Sequence, residues 1–472
     1  MHRRLFLHRL GGAGAVMAGL SLLEACSPAA QQPASTTAPP TTTGPRGQIT
    51  VAQGGDVVSL DPHKINDMIS MSVAAGVYDT LLTRDASGAI APHLATSWQA
   101  VDDQTWRFAL RQDVTFHNGE KLTAETVKAN WDRLKDPNSK TTSSGLQNVT
   151  GAKVVDTYTV DIVSTGPNPM VPARMCMFAG TIVPMQYLQT AGADALAAKP
   201  VGTGPYRFVE WVKDDHVTLE ANPTYWGGPP KLQRVIFKPI PRDATRVAAI
   251  QTGEVDVAAG IPPESIAQLT GASGLRVDSV QGQRVMYASM DGRVKPFDDK
   301  RVRQAVNYAV DVDSIIKNVL DGNAQRIAGP IAKDMFGYDG SVKPYAYDPD
   351  KARALLTEAG LGAGFSITMN TPSGRYLKDK ETAQAIAGYL DKVGIKVDLQ
   401  VLEWANFATK LQNKGLAPLY YVGNLAWTQD ADNGVDSFFR TGASQNFVED
   451  EQINGIIKQE QSTTDQQRRL GL

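Results

Sequence analysis

The feature that most constrains this chain is its alternation of short period-two runs with amphipathic helical stretches from Ile49 onward, with no internal repeat. Residues 105–110 and 158–162 alternate apolar and polar side chains, the period of a strand with one buried face. After Thr123, a helix N-cap, Val127, Trp131 and Leu134 fall at i, i+4 and i+7 on one apolar face, and Pro137 ends that helix. Strands are expected at 217–220, 234–237, 255–257 and 284–287, interrupted by one helix over 243–252 that Gly253 stops. From Asp299 helices dominate. Val302, Val306 and Ala309 share a face, and a helix opened by Asp348-Pro349 ends at Gly360. Residues 366–369, 395–399 and 419–422 then read as strands. The change of texture near Met290 predicts an α/β or α+β lobe followed by a second, α/β lobe, with their boundary there.

The first residues stand apart from that body. Met1 to Arg9 carry three arginines, residues 10–23 are apolar and rich in Gly and Ala, and Leu23-Glu24-Ala25-Cys26 follows. A basic start, a short apolar run and small residues before a break make an export signal over residues 1–25, too short for a membrane span. Arg3-Arg4 resembles a twin-arginine leader, and the residues before Cys26 resemble a lipoprotein cleavage box, which makes Cys26 the expected lipidation site. Residues 26–47, rich in Pro, Thr, Ala and Ser, have no surface to bury and read as a tether. The protein is therefore expected outside the cytoplasm, held to a membrane by lipid.

Composition removes further classes. Of 472 residues 42% are hydrophobic and 20% charged, with a net charge of −2, so neither a disordered chain nor a nucleic-acid binder is indicated. Loss of the leader removes Arg3, Arg4, Arg9 and Glu24 and leaves −4. Cys176 is then the one cysteine besides Cys26, and it sits among Met and Phe as a small buried hydrophobe. His63, His93, His117 and His216 stand far apart without metal-ligand spacing, so no metal and no cofactor is expected. Gly202-Thr203-Gly204 is followed at once by Pro205, which suits a turn and not a phosphate loop. Ser314-Ile315-Ile316-Lys317 has the Ser-x-x-Lys spacing of exported serine hydrolases, but its companion motifs are missing and the same residues suit a helix start. A lobed binding protein without enzymatic activity is the simpler reading.

Eight motifs then occur in order: Gly54-Gly55-Asp56 with Leu60-Asp61-Pro62-His63; Val77-Tyr78-Asp79-Thr80-Leu81-Leu82; Pro92-His93-Leu94-Ala95; Phe116-His117-Asn118-Gly119-Glu120; Val201-Gly202-Thr203-Gly204-Pro205-Tyr206; Asn222-Pro223-Thr224-Tyr225-Trp226; Gly253-Glu254-Val255-Asp256; and Arg301-Val302-Arg303-Gln304-Ala305. Together they resemble extracellular solute-binding family 5 of ABC transporters, which binds dipeptides, oligopeptides and nickel. The resemblance implies an α/β two-lobed periplasmic-binding-protein fold with mixed sheets and an extra subdomain inserted in lobe I. Mapped here, lobe I covers residues 48–290 with the insertion at about 78–196, and lobe II covers 291–472.

The same resemblance implies a monomeric receptor that closes over a peptide and delivers it to an ABC permease and its ATPase. Nickel chelates, opines and oligosaccharides are alternative ligands in such a family. Trp427-Thr428-Gln429-Asp430 matches the family's Trp-x-x-Asp, whose carboxylate pairs with the ligand's ammonium, which nominates Asp430. Trp427 and Trp404 would wall the cleft, and Lys380 falls near the family's arginine for the ligand carboxylate. After Asp430 the usual Asp-Pro is replaced by Ala431-Asp432-Asn433-Gly434. Residues 463–470 resemble a helix that family members follow with further strands, so lobe II is expected to lack its return crossing into lobe I.

Overall fold

In a computed structural model, residues 47–65, 67–141, 148–177, 180–443 and 445–472 are described, and all of them belong to one compact unit that begins at Gly44. The expected leader, Cys26 and the tether up to Arg46 lie outside the described residues.

The chain enters lobe I with β1 (Gln48–Gln53) and the helix Met68–Val77. It then leaves for an inserted subdomain made of the hairpin β2 (Leu82–Arg84) and β3 (Ile90–Pro92), followed by β4 (Ala95–Asp102), β5 (Thr105–Leu110), β6 (Val149–Asp156) and β7 (Thr159–Ser164). These last four form an antiparallel sheet in the order β4-β5-β7-β6. The helix Ala124–Lys135 covers it, and Thr123 accepts from Thr126 N as its cap. Trp131, Val127 and Leu134 pack with Phe108 and Ile162 into the subdomain core, as their spacing predicts.

Lobe I resumes with β8 (Tyr206–Val212), β9 (His216–Ala221), β10 (Arg234–Pro239) and the two-residue β11 (Val257–Ala258). Its sheet runs β11-β1-β10-β9-β8, with β1 parallel to β10 and β11 and the remaining pairs antiparallel. Lobe II holds β12 (Arg284–Met290), β13 (Phe365–Pro372), β14 (Ile395–Leu402) and β15 (Leu419–Leu425), ordered β12-β15-β13-β14. Here β13 is parallel to β14 and β15, while β12 is antiparallel to β15 and lies at the sheet's edge.

Two boundaries differ from the sequence expectation. The strand expected at 284–287 forms over Arg284–Met290 but pairs with β15, so it belongs to lobe II and the lobes part before Arg284. The inserted subdomain's core runs from Leu81 to Ile182, whereas Val183 and Leu196 pack into the lobe I core with Val57, Leu60 and Val77. In both cases the local pattern marks the element and a distant partner decides where it packs.

Four of the ordered motifs meet at one place. Asp79, 3% exposed, accepts hydrogen bonds from Thr203 Oγ1 (2.9 Å), Tyr225 Oη (3.1 Å) and Trp226 Nε1 (2.8 Å). His117 Nε2 lies 2.9 Å from Gly204 O. A Cβ on Gly202 would stand 2.1 Å from Val77 O, so this approach of two backbones requires glycine. These motifs join the subdomain to lobe I; they hold the scaffold and do not line the ligand cavity described below.

Candidate ligand-binding site

Because β13, β14 and β15 point the same way, the loops after them gather at one edge of the lobe II sheet, where α/β proteins place ligands. The loop after β13 is pinned by a single carboxylate. Asp379, 3% exposed at the start of the helix Asp379–Asp391, accepts from the backbone N–H groups of Gly374 (3.3 Å), Arg375 (3.0 Å), Tyr376 (3.1 Å) and Lys380 (2.8 Å). A carboxylate at a helix N-terminus also complements the helix dipole. Tyr376 Oη donates to Gly423 O (3.2 Å), which ties the loop to β15.

Trp404 follows β14 and meets Tyr376 edge to face at 6.0 Å while stacking on Phe407. The Arg375 guanidinium lies 4.7 Å from the Trp404 ring centroid and 5.7 Å from that of Tyr376. Arg284 opens β12 opposite Leu425 of β15, and its guanidinium lies 5.4 Å from the same Tyr376 ring. Neither arginine has a carboxylate partner among the described residues; aromatic faces are what they touch. Burial holds the Arg284 pKa below the usual arginine value, and the like charge of Arg375 adds to that effect.

A cavity of about 690 Å³ opens here and runs along β12, lined by Arg284, Tyr287, Arg375, Tyr376, Ile386 and Tyr421 among others. That is the size of a small-ligand site. Its lining carries one acid, Asp334, against Arg284, Arg326, Lys333 and Arg375. Arg326 is already matched by Asp313 at 2.6 Å. Lobe I reaches the same loop, since Glu264 pairs with Lys378 at 2.9 Å.

Of the residues nominated from sequence, Trp404 sits in this aromatic group and Trp427 is 36% exposed just beyond β15. Lys380 is exposed on the helix and does not line the cavity, whereas Arg375, five residues earlier, is one of the basic side chains that do. Asp430 is likewise absent from the cavity wall. It caps the helix Ala431–Phe439 by accepting from Asp432 N (3.0 Å), and its two oxygens accept from Arg469 Nη2 (2.8 Å) and Nη1 (3.1 Å). Glu460 shares Arg469 through Nε (2.8 Å), and Arg174 of the inserted subdomain stands 4.0 Å from Asp432. In this crowd burial and the neighbouring Asp432 charge push the Glu460 carboxyl up to about 7, against the pull of Arg469. Burial also raises Asp432.

Ser314 Oγ donates to Asp311 (2.6 Å), the cap of its own helix, while Lys317 is exposed on the last turn. No group of three His, Cys, Asp or Glu side chains that could hold a metal ion occurs among the described residues. Arg284 and Arg375 were missed in the sequence because nothing local distinguishes them from solvated arginines. Only the clustering of Gly, Tyr and Asp after a predicted strand hinted at a shaped loop.

Comparisons with known proteins bear on the family and the fold. The profile described as "Bacterial extracellular solute-binding proteins, family 5 Middle" matches residues 89–446. The glutathione-binding protein GsiB of Salmonella typhi is 32% identical over 440 residues, 90% of this chain and 85% of that one. Among solved structures, the periplasmic binding protein DppA of Helicobacter pylori in complex with the peptide STSA superposes with a TM-score of 0.77 at 29% identity, covering 90% of this chain and 88% of that chain. NikA of Brucella suis in complex with Fe(III)-EDTA gives 0.81 at 25% identity, with 90% of each chain covered.

Proposed function

The chain belongs to family 5 of the bacterial extracellular solute-binding proteins, and from that premise we propose that it is a peptide receptor which captures its ligand by the terminal carboxylate and passes it to an ABC permease and ATPase. The observation that carries this reading is Arg375, a guanidinium without a carboxylate of its own, held on a loop that Asp379 fixes and walled by Tyr376 and Trp404. A ligand carboxylate supplies the missing charge, and preorganisation of the loop removes the cost of ordering it on binding. Relatives support the peptide part of this reading, since the Salmonella typhi protein is named for glutathione and the Helicobacter pylori protein holds the peptide STSA.

No described helix is long and apolar enough to cross a membrane. The receptor acts outside the cytoplasm as a monomer, anchored by lipid at Cys26. The receptor reading is preferred to a serine hydrolase, since the Ser314 hydroxyl donates to Asp311, the cap of its own helix, and Lys317 is exposed. Trp427, partly exposed beyond β15, forms a further wall when the lobes close.

Calorimetry with short peptides tests the reading. Amidating the peptide C-terminus is expected to weaken binding several-fold, because it removes the charge partner of Arg375. Arg375→Gln is expected to remove that difference. Equal affinity for free and amidated peptides in the native protein refutes carboxylate capture.

A further inference from the structure

One guanidinium is enough to hold a peptide's terminal carboxylate, yet the cavity presents two. Arg284, from the first position of β12, and Arg375, from the loop after β13, converge on one ring, with guanidinium carbons 5.4 and 5.7 Å from the Tyr376 centroid. One opens an edge strand and the other sits on the loop after a strand elsewhere in the sheet, so their meeting at one ring is a product of the fold and not of chain adjacency. Arg284 is half-buried and packed on an aromatic face, so it lacks the full hydration that would make a lone charge inexpensive. The one acid in the cavity lining, Asp334, forms no ion pair with either arginine. A ligand with a single carboxylate therefore leaves one of two neighbouring like charges unmatched.

We propose that the cavity selects dianionic peptides: Arg375 takes the terminal carboxylate and Arg284 takes a second carboxylate carried by the same end of the ligand. This rests on the peptide reading above and adds to it a substrate class and a specificity residue, Arg284. The second contact is a charge-assisted hydrogen bond in a partly desolvated site, a kind that contributes more than an exposed pair.

The probes are the tripeptides Ala-Ala-Glu and Ala-Ala-Gln, which have nearly the same shape and differ by one carboxylate. With the native protein, Ala-Ala-Glu is expected to bind at least about tenfold more tightly, a difference of about 1.4 kcal/mol. Arg284→Gln is expected to bring that ratio close to one, and Arg284→Lys, which keeps the charge without the planar fork, to restore part of it. Arg375→Gln is expected to weaken both peptides while the ratio survives. Thermal unfolding of each variant confirms that the fold is retained. Equal affinity of the native protein for the two peptides overturns the dianion proposal and leaves peptide binding standing. So does an Arg284→Gln variant that weakens both peptides while keeping the native ratio. If neither peptide binds the native protein, the peptide reading fails and this proposal fails with it.

Discussion

The pair Asp430–Arg469 offers a direct test of whether a carboxylate serves the ligand or the scaffold. Their side chains are 9% and 4% exposed, and the carboxylate receives both ends of the guanidinium fork. Arg469→Met would leave Asp430, Asp432 and Glu460 together with only Arg174, at 4.0 Å, to offset them. Removing one partner of a buried pair costs about 3–5 kcal/mol, because the survivor stays buried and charged. Asp430→Asn is milder: its amide oxygen can still cap Asp432 N, and Arg469 keeps Glu460, so about 1–3 kcal/mol is expected. In the double variant neither residue is stranded, and the loss should fall short of the sum by about 1–3 kcal/mol. Urea unfolding followed by tryptophan fluorescence gives the four stabilities, and calorimetry on the same samples gives peptide affinity. For a scaffold pair, N-acetylating the peptide has the same effect in Asp430→Asn as in the native protein. If Asp430→Asn leaves the unfolding midpoint unchanged and abolishes binding of free-amine peptides, the carboxylate belongs to the ligand and the reasoning here is wrong.

Asp379→Ala releases four backbone N–H groups from the loop that carries Arg375, and is expected to cost about 3 kcal/mol of stability and at least about tenfold in peptide affinity; native affinity would show that the loop is shaped by something else. Glu460 titrates near 7, above its ordinary 4.5, so folding favours its protonated form; that contribution is complete below about pH 4.5 and is lost as pH rises through about 7. Glu460→Gln does not titrate, so its stability relative to the native protein should rise by up to about 3 kcal/mol between pH 4.5 and 8, and a difference independent of pH counts against the assignment. Glu264→Gln breaks a largely exposed contact between the lobes, so a change of about 0.2–1 kcal/mol in the closure equilibrium is expected, shrinking in high salt; interlobe fluorescence energy transfer would reveal a larger or salt-independent effect.

Much of the secondary structure was legible in the sequence. The predicted strand at 105–110 is β5, and the helix over 243–252 ends at Gly253 with φ +73, a conformation glycine adopts without strain. The helix behind Asp348 is capped by that residue's own side chain. These signals are readable because each depends on neighbours within a few positions. The order of motifs was legible too and carried the family, but not the reason for it: Thr203, Tyr225 and Trp226 all donate to the carboxylate of Asp79, more than a hundred residues before them. The site was legible only in part. Trp404 lies against Tyr376 beside the cavity, whereas Lys380 stands exposed on the helix outside it and Arg375 lines it, on a loop whose backbone N–H groups are held by Asp379.

The chain by itself thus determined its periodicities, its caps and turns and its family, all of which depend on local stereochemistry or on ordered patterns of residue types. Tertiary structure alone decided that the strand at 284–290 pairs with β15 and belongs to lobe II, that Arg284 reaches the ring of Tyr376, and that Asp430 is answered by Arg469, 39 residues further on. Strand pairing, burial and charge compensation depend on which distant segments come into contact, and no window of neighbouring residues contains that information.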